Sequence, residues 1–168
     1  MKEQVCCFTG HRDMRLPVGE VKRRLAETID YLISKGVIYY GSGGALGFDS
    51  LAAEAVIEAR RKNPKVKLIL VLPCHDQDKK WLPEDRARYS FLKSQANKIV
   101  YTSDVYSPGC MHKRNRHLVD NSKFCIALLE RMSGGTYYTF NYAQEQGLEI
   151  YNLAERNFFT PIQYDTHP

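Results

Sequence analysis

Two glycine-rich bends, each set between an apolar run and a helical one, hold the residues best suited to grip a ligand. In the first, YYGSGGALGFDS, Gly41, Ser42, Gly43, Gly44, Ala45 and Gly47 leave the backbone nearly bare of side chains ahead of Asp49. Backbone N–H groups converge in such a bend, and a helix starting there adds a partial positive charge. A phosphate is the natural guest, with Asp49 capping the helix or receiving a ligand hydroxyl. The second bend, Ser133-Gly134-Gly135-Thr136, repeats the arrangement. At one sheet edge the pair would hold two ends of one phosphorylated ligand, although either bend alone also serves as a plain turn.

Three further groups stand near these bends. Gly10, His11 and Arg12 follow the first apolar run, and position makes His11 the best acid/base candidate, with Asp49 as the other. Arg114, Asn115 and Arg116 open a later helix, where the arginines can pair with phosphates and Asn115 is expected on the sheet side with Met111, Leu118 and Val119. The same cations would equally make a solvated face. Tyr101, Tyr106 and Tyr137 lie close enough to the loops to stack on bases.

Several chemistries are disfavoured. No Lys-Ser/Thr pair follows Gly47, so the first bend is not a Walker A loop. Its G-x-G-x-x-x-G spacing after the second apolar run also departs from the dinucleotide fingerprint. There is no nucleophile elbow of the G-x-S-x-G type. Cys74-His75 and Cys110-x-His112 match no zinc module, and no metal is expected.

These groups need a frame, and the chain supplies an alternating one. Strands are expected at 5–9, 37–40, 66–73, 98–102, 123–129 and 149–153, and helices at 18–35, 50–61, 83–96, 111–121 and 136–146. Val21, Leu25, Ile29 and Leu32 form an apolar stripe that stops at Gly36, and VKLILVLP is continuous enough to be covered on both faces. The pattern predicts an α/β fold, a Rossmann-like open and mostly parallel sheet with helices on both faces. Its ligand crevice would lie beyond the carboxyl ends of the strands.

The 168 residues suit a single domain, with a core over about 4–153 and a looser C-terminal tail at 154–168. Hydrophobic residues at 43% and charged residues at 26% exclude a disordered chain, and no apolar stretch spans a bilayer. The N-terminus lacks the pattern of a signal peptide, and five cysteines, two of them adjacent in a strand, read as reduced core thiols. Both point to the cytoplasm. A net charge of +5 favours anionic partners.

CCFTGHR, SGGALGFDSLAAEA, PGCMHKRNRHLVDNS and SGGTYYTFNYAQEQGLEI, taken in order, resemble the YpsA-like branch of the SLOG superfamily. That superfamily includes DprA (Smf) and the LOG-type phosphoribohydrolases. Similarity to DprA lies in Gly47, Asp49, Ala52 and Ala55, in Arg114-Asn115-Arg116 and in the late Ser-Gly loop. It implies a Rossmann-like nucleotide or nucleic-acid site, and relatives that often pair imply a homodimer. The LOG resemblance is partial: Ser133 to Thr136 match the phosphate-binding half, while Thr139 stands where the catalytic glutamate would be.

The resulting expectation is a sensor-type domain for a phosphorylated nucleotide-derived small molecule, with no other cofactor. One alternative is a nucleotide-processing enzyme hydrolysing an N-glycosidic or phosphate bond through His11 or Asp49; another is DprA-like binding of single-stranded DNA.

Overall fold

Each strand of this chain alternates side chains between two cores, and that alternation locates the helices. The computed structural model describes residues 2–163. Its strands are β1 (Val5–Gly10), β2 (Tyr39–Ser42), β3 (Lys67–Leu72), β4 (Lys98–Tyr101), β5 (Phe124–Leu128) and β6 (Glu149–Asn152). Its helices are α1 (Val18–Ser34), α2 (Phe48–Lys62), α3 (Pro83–Gln95), α4 (Cys110–Asp120) and α5 (Gly134–Glu145). Cys6, Phe8, Ile126 and Leu128 face a core built with α1, α2 and α3, whereas Cys7, Cys125 and Ala127 face one built with α4 and α5.

The six strands form one sheet in the order β4-β3-β2-β1-β5-β6, with every pairing parallel. Strand order reverses between β1 and β5, so the crevice opens over their carboxyl ends. Register there pairs Thr9 with Ala127 and Gly10 with Leu128, and sets the loop after β1 directly beside the loop after β5.

Helix ends fall where local chemistry puts them. At the end of α1 the Gly36 N–H donates to Ile33 O and the Val37 N–H to Leu32 O, a Schellman arrangement with Gly36 at φ +90°. Val37 is thereby kept out of the sheet. The second strand consequently begins two residues later than the apolar run suggests and takes in Gly41 and Ser42. Helices α2 and α5 also start two residues earlier than expected, which carries Asp49, Gly134 and Gly135 into their first turns.

Beyond Leu153 most described residues are exposed, but Phe158 and Ile162 pack back onto the domain. Phe158 is buried beneath the Arg24 guanidinium, which lies 5.0 Å from its ring centroid, and the Ile162 N–H donates to Ile150 O at 2.9 Å. The expected tail therefore contributes to the core up to Ile162, while 164–168 lie outside the described residues. Among the described residues no helix is long and apolar enough to cross a membrane.

Candidate functional site

A polar cleft of about 410 Å³ opens over the carboxyl ends of β1 and β5. Its walls come from the loops after β1, β2, β3 and β5 and from the first turns of α4.

The loops after β1 and β5 are clamped together. Both oxygens of the Glu130 carboxylate accept backbone N–H groups, from Arg15 and Leu16, each at 2.8 Å. In return the Glu130 N–H donates to His11 Nε2 at 3.1 Å, and Arg131 donates to Asp13 O at 3.0 Å. A ring nitrogen that accepts an amide proton carries none of its own, so His11 is a neutral imidazole protonated at Nδ1. Burial lowers its pKa, and the nearby Arg131 charge lowers it further. Nε2 is thus committed to the fold, and a proton-transfer role would fall to Nδ1.

The loop after β2 is filled from within. Asp49 and Arg114 are only 8% and 4% exposed, and both pack against Gly43. The Arg114 guanidinium donates to Gly43 O, while its Nε donates to Asn115 Oδ1 at 2.7 Å. A Cβ on Gly43 would stand 2.5 Å from Arg114 Nη1 and 2.8 Å from Asp49 Oδ2. The loop amides turn inward as well: the Gly44 N–H donates to Ser42 Oγ at 3.2 Å and the Ala45 N–H to Asp49 Oδ2 at 3.4 Å. Asp49 therefore supplies the negative charge that the start of α2 attracts. Burial pushes its carboxyl up to about 6, with Arg114 opposing the shift. Burial likewise lowers Arg114, with Asp49 opposing.

The loop after β5 is built differently. Ser133 is the N-cap of α5 but its side chain makes no cap hydrogen bond. Gly134 takes φ +79°, which favours glycine, but Gly135 does not have positive φ. A Cβ on either would meet nothing within 4 Å. Gly135 is required neither by conformation nor by packing, and the space beside it is the cleft. Thr136 is buried at the cleft wall, and Thr139 donates through Oγ1 to Gly135 O at 2.8 Å. At the position of the LOG glutamate this chain has a hydroxyl bound to its own helix.

The cleft brings together Gly10, His11, Arg12, Ala45, Asp49, Arg114, Asn115, Ser133, Gly134, Gly135 and Thr136. Ser42, Gly43, Gly44 and Gly47 stand behind this lining as its support. Arg116 points elsewhere and donates to Tyr138 Oη at 2.9 Å on the surface. The buried stripe of α4 is Cys110, Arg114, Leu118 and Val119, so Arg114 takes the inward place expected for Asn115, and Met111 is exposed at the rim. A partner on another element decides this, because Gly43 O accepts from the Arg114 guanidinium beside the Asp49 carboxylate. Arg131, Gln77 and Trp81 also line the cleft although the sequence reading did not single them out. Position was their available signal, since all three lie in loops that follow strands. Tyr101 stacks on His75 with centroids 3.8 Å apart and does not line this cleft. All five cysteines are free and buried.

Comparison with known proteins places this architecture. The YpsA model, described as the YspA SLOG family, matches residues 6–157, and the chain belongs to that family. Among curated proteins it is 29% identical over 161 residues to the uncharacterized SPbeta prophage-derived protein YoqJ of Bacillus subtilis (strain 168), covering 86% of this chain and 94% of that one. It is 28% identical over 160 residues to a UPF0398 protein of Bacillus cereus (strain G9842), covering 89% and 86%. Its fold is similar to that of DNA processing protein A from Helicobacter pylori, a structure described for its single-stranded DNA binding mode. There the TM-score is 0.62 at 20% identity, over 89% of this chain and 64% of that one. DNA processing protein A (DprA) from Streptococcus pneumoniae gives 0.60 at 16% identity, over 86% and 48%. The chain thus spans about two thirds and about half of those two proteins.

Proposed function

We propose that this member of the YpsA SLOG family binds a phosphorylated, nucleotide-derived small molecule in the cleft over β1 and β5. The observation that carries the reading is Gly135, a bare position in the first turn of α5 that faces open space. A helix start without a side-chain cap offers N–H donors and partial positive charge, and Arg12 and Arg131 on the same cleft add full charges. The phosphate belongs at this end. Asp49, an acceptor in the opposite wall, is suited to a sugar hydroxyl.

Thermal shift and calorimetry with ribose 5-phosphate and 5′-nucleotides test the reading. A ligand present at a hundred times its Kd adds about 2.7 kcal/mol, which raises the melting temperature of a domain this size by roughly 5 to 10 °C. No shift with any phosphorylated nucleoside or sugar would sink it.

Two other readings each have one observation in their favour. Asp49, raised to about 6 within the cleft, is suited to exchange a proton during nucleotide hydrolysis. Release of free base or phosphate from a nucleotide panel would establish that activity. The similarity of fold to DNA processing protein A supports single-stranded DNA as a ligand. That reading requires affinity to fall steeply as salt rises, and a flat salt response would remove it.

A further inference from the structure

We propose that Gln77 and Trp81, on the loop between β3 and α3, select the base of this ligand, and that they take a base carrying an exocyclic amine. The inference rests on the nucleotide reading above and adds the ligand class to it.

The cleft has two unlike ends. Arg131 and the start of α5, which follow β5, make one of them attractive to anions. At the other, Gln77 and Trp81 line the wall, and Tyr89 stands behind both. The Gln77 Nε2 donates to Tyr89 Oη at 3.1 Å and to Gly43 O at 3.4 Å. Gly43 O can only accept, which fixes which way the amide faces. Its other atom, Oε1, is enclosed and has no hydrogen-bond partner. An enclosed carbonyl without a donor is costly, and the cost is relieved by any ligand that brings an N–H to it.

Trp81 supplies the second half of the recognition. Its ring packs edge-on against Tyr89, with centroids 5.0 Å apart at 62°, and it borders the same cleft. A planar base gains by stacking on an aromatic wall whatever its identity, so the indole gives affinity without choice. Choice comes from Oε1. With Nε2 already committed, Gln77 offers only an acceptor, and the edge that suits it must donate. An exocyclic amine meets that requirement, whereas the same ring with hydrogen in its place leaves Oε1 unpartnered. Oε1 is enclosed in the free chain, so the inference requires the loop over 73–82 to yield as the base binds.

Calorimetry on the full chain with three probes tests this: ribose 5-phosphate, adenosine 5′-monophosphate, and purine riboside 5′-monophosphate, which lacks the amine. The unmodified protein is expected to bind the adenine nucleotide about tenfold more tightly than the purine one. Gln77→Met should bind those two alike, with ribose 5-phosphate unchanged. Trp81→Leu should weaken both nucleotides by a similar factor and again spare the sugar phosphate. Equal affinity of the unmodified protein for the two nucleotides would overturn the inference, as would a preference that survives in Gln77→Met. Binding of the sugar phosphate without base preference would sink this inference alone. Binding of none of the three would sink the nucleotide reading with it. Should Gln77→Met fail to fold by circular dichroism, the two nucleotides on the unmodified protein decide the matter.

Discussion

The loop from β2 into α2 and the loop from β5 into α5 look alike as strings of glycine, yet their glycines answer to different demands. In the first, a Cβ on Gly41 would lie 2.9 Å from Leu118, one on Gly43 2.5 Å from Arg114, and one on Gly47 2.2 Å from the backbone oxygen of Arg12. The Asp49 carboxylate already occupies the positive end of α2. In the second, neither Gly134 nor Gly135 would strike anything, and the first turn of α5 holds no acidic side chain. A glycine hemmed in by its own protein reports on folding; one beside a void reports on what comes to fill it. On the proposed function, the first loop is the scaffold of the cleft and the second its phosphate-binding end.

The contrast is most sharply tested at Gly47, which combines φ +81° with backbone contact at 2.2 Å. Gly47→Ala is expected to lose about 3 kcal/mol or more in urea unfolding, from conformational strain and overpacking together. A loss below about 1 kcal/mol would mean that the first loop is as slack as the second. Next in size is the clamp that aligns the two loops. Glu130→Ala removes two backbone hydrogen bonds and should cost about 1 to 2 kcal/mol, with weaker ligand binding because Arg131 and the start of α5 lose their alignment.

The dependence of stability on pH separates the regions by sign. Asp49 belongs to the first loop, and its folded pKa of about 6 lies above the ordinary 3.8. Its contribution is fully present below pH 3.8 and is lost as pH rises through about 6. His11 belongs to the clamp, and its folded pKa lies below the ordinary 6.5. Its contribution is present above pH 6.5 and is lost as pH falls through the lowered value. His11→Gln, which keeps an acceptor for the Glu130 N–H, should abolish that acid-side loss while leaving the opposite slope from Asp49 in place. Chemical denaturation at pH steps from 4 to 7 checks both. The smallest effect is expected at Arg116, whose partner Tyr138 is on the surface. Arg116→Ala should change stability by less than about 0.5 kcal/mol and leave binding unaltered, since it stands outside the cleft.

Much of the frame was legible because it rests on local rules. The α1 stripe of Val21, Leu25, Ile29 and Leu32, its stop at Gly36, and the continuous apolar run of β3 each follow from spacing and backbone chemistry within a few residues. The strand-to-helix bends followed from the same reasoning. What was not legible depends on partners distant along the chain. Arg114 is turned inward by Gly43 and Asp49, which lie on another element, and nothing within HKRNR marks it out from Arg116. Glu130 and Arg131 matter because they meet the segment from His11 to Leu16, more than 110 residues earlier. The difference between the two glycine loops is hidden for the same reason, since only tertiary neighbours tell a crowded glycine from an open one.

The most direct test of the central claim is Gly135→Val, measured for stability and for binding of ribose 5-phosphate in one series. A side chain there should fold without hindrance, with stability within about 0.5 kcal/mol of the unmodified protein, while binding falls at least about tenfold because the space for the phosphate is taken. Unchanged binding in the folded variant would contradict the account and leave the start of α5 without a ligand.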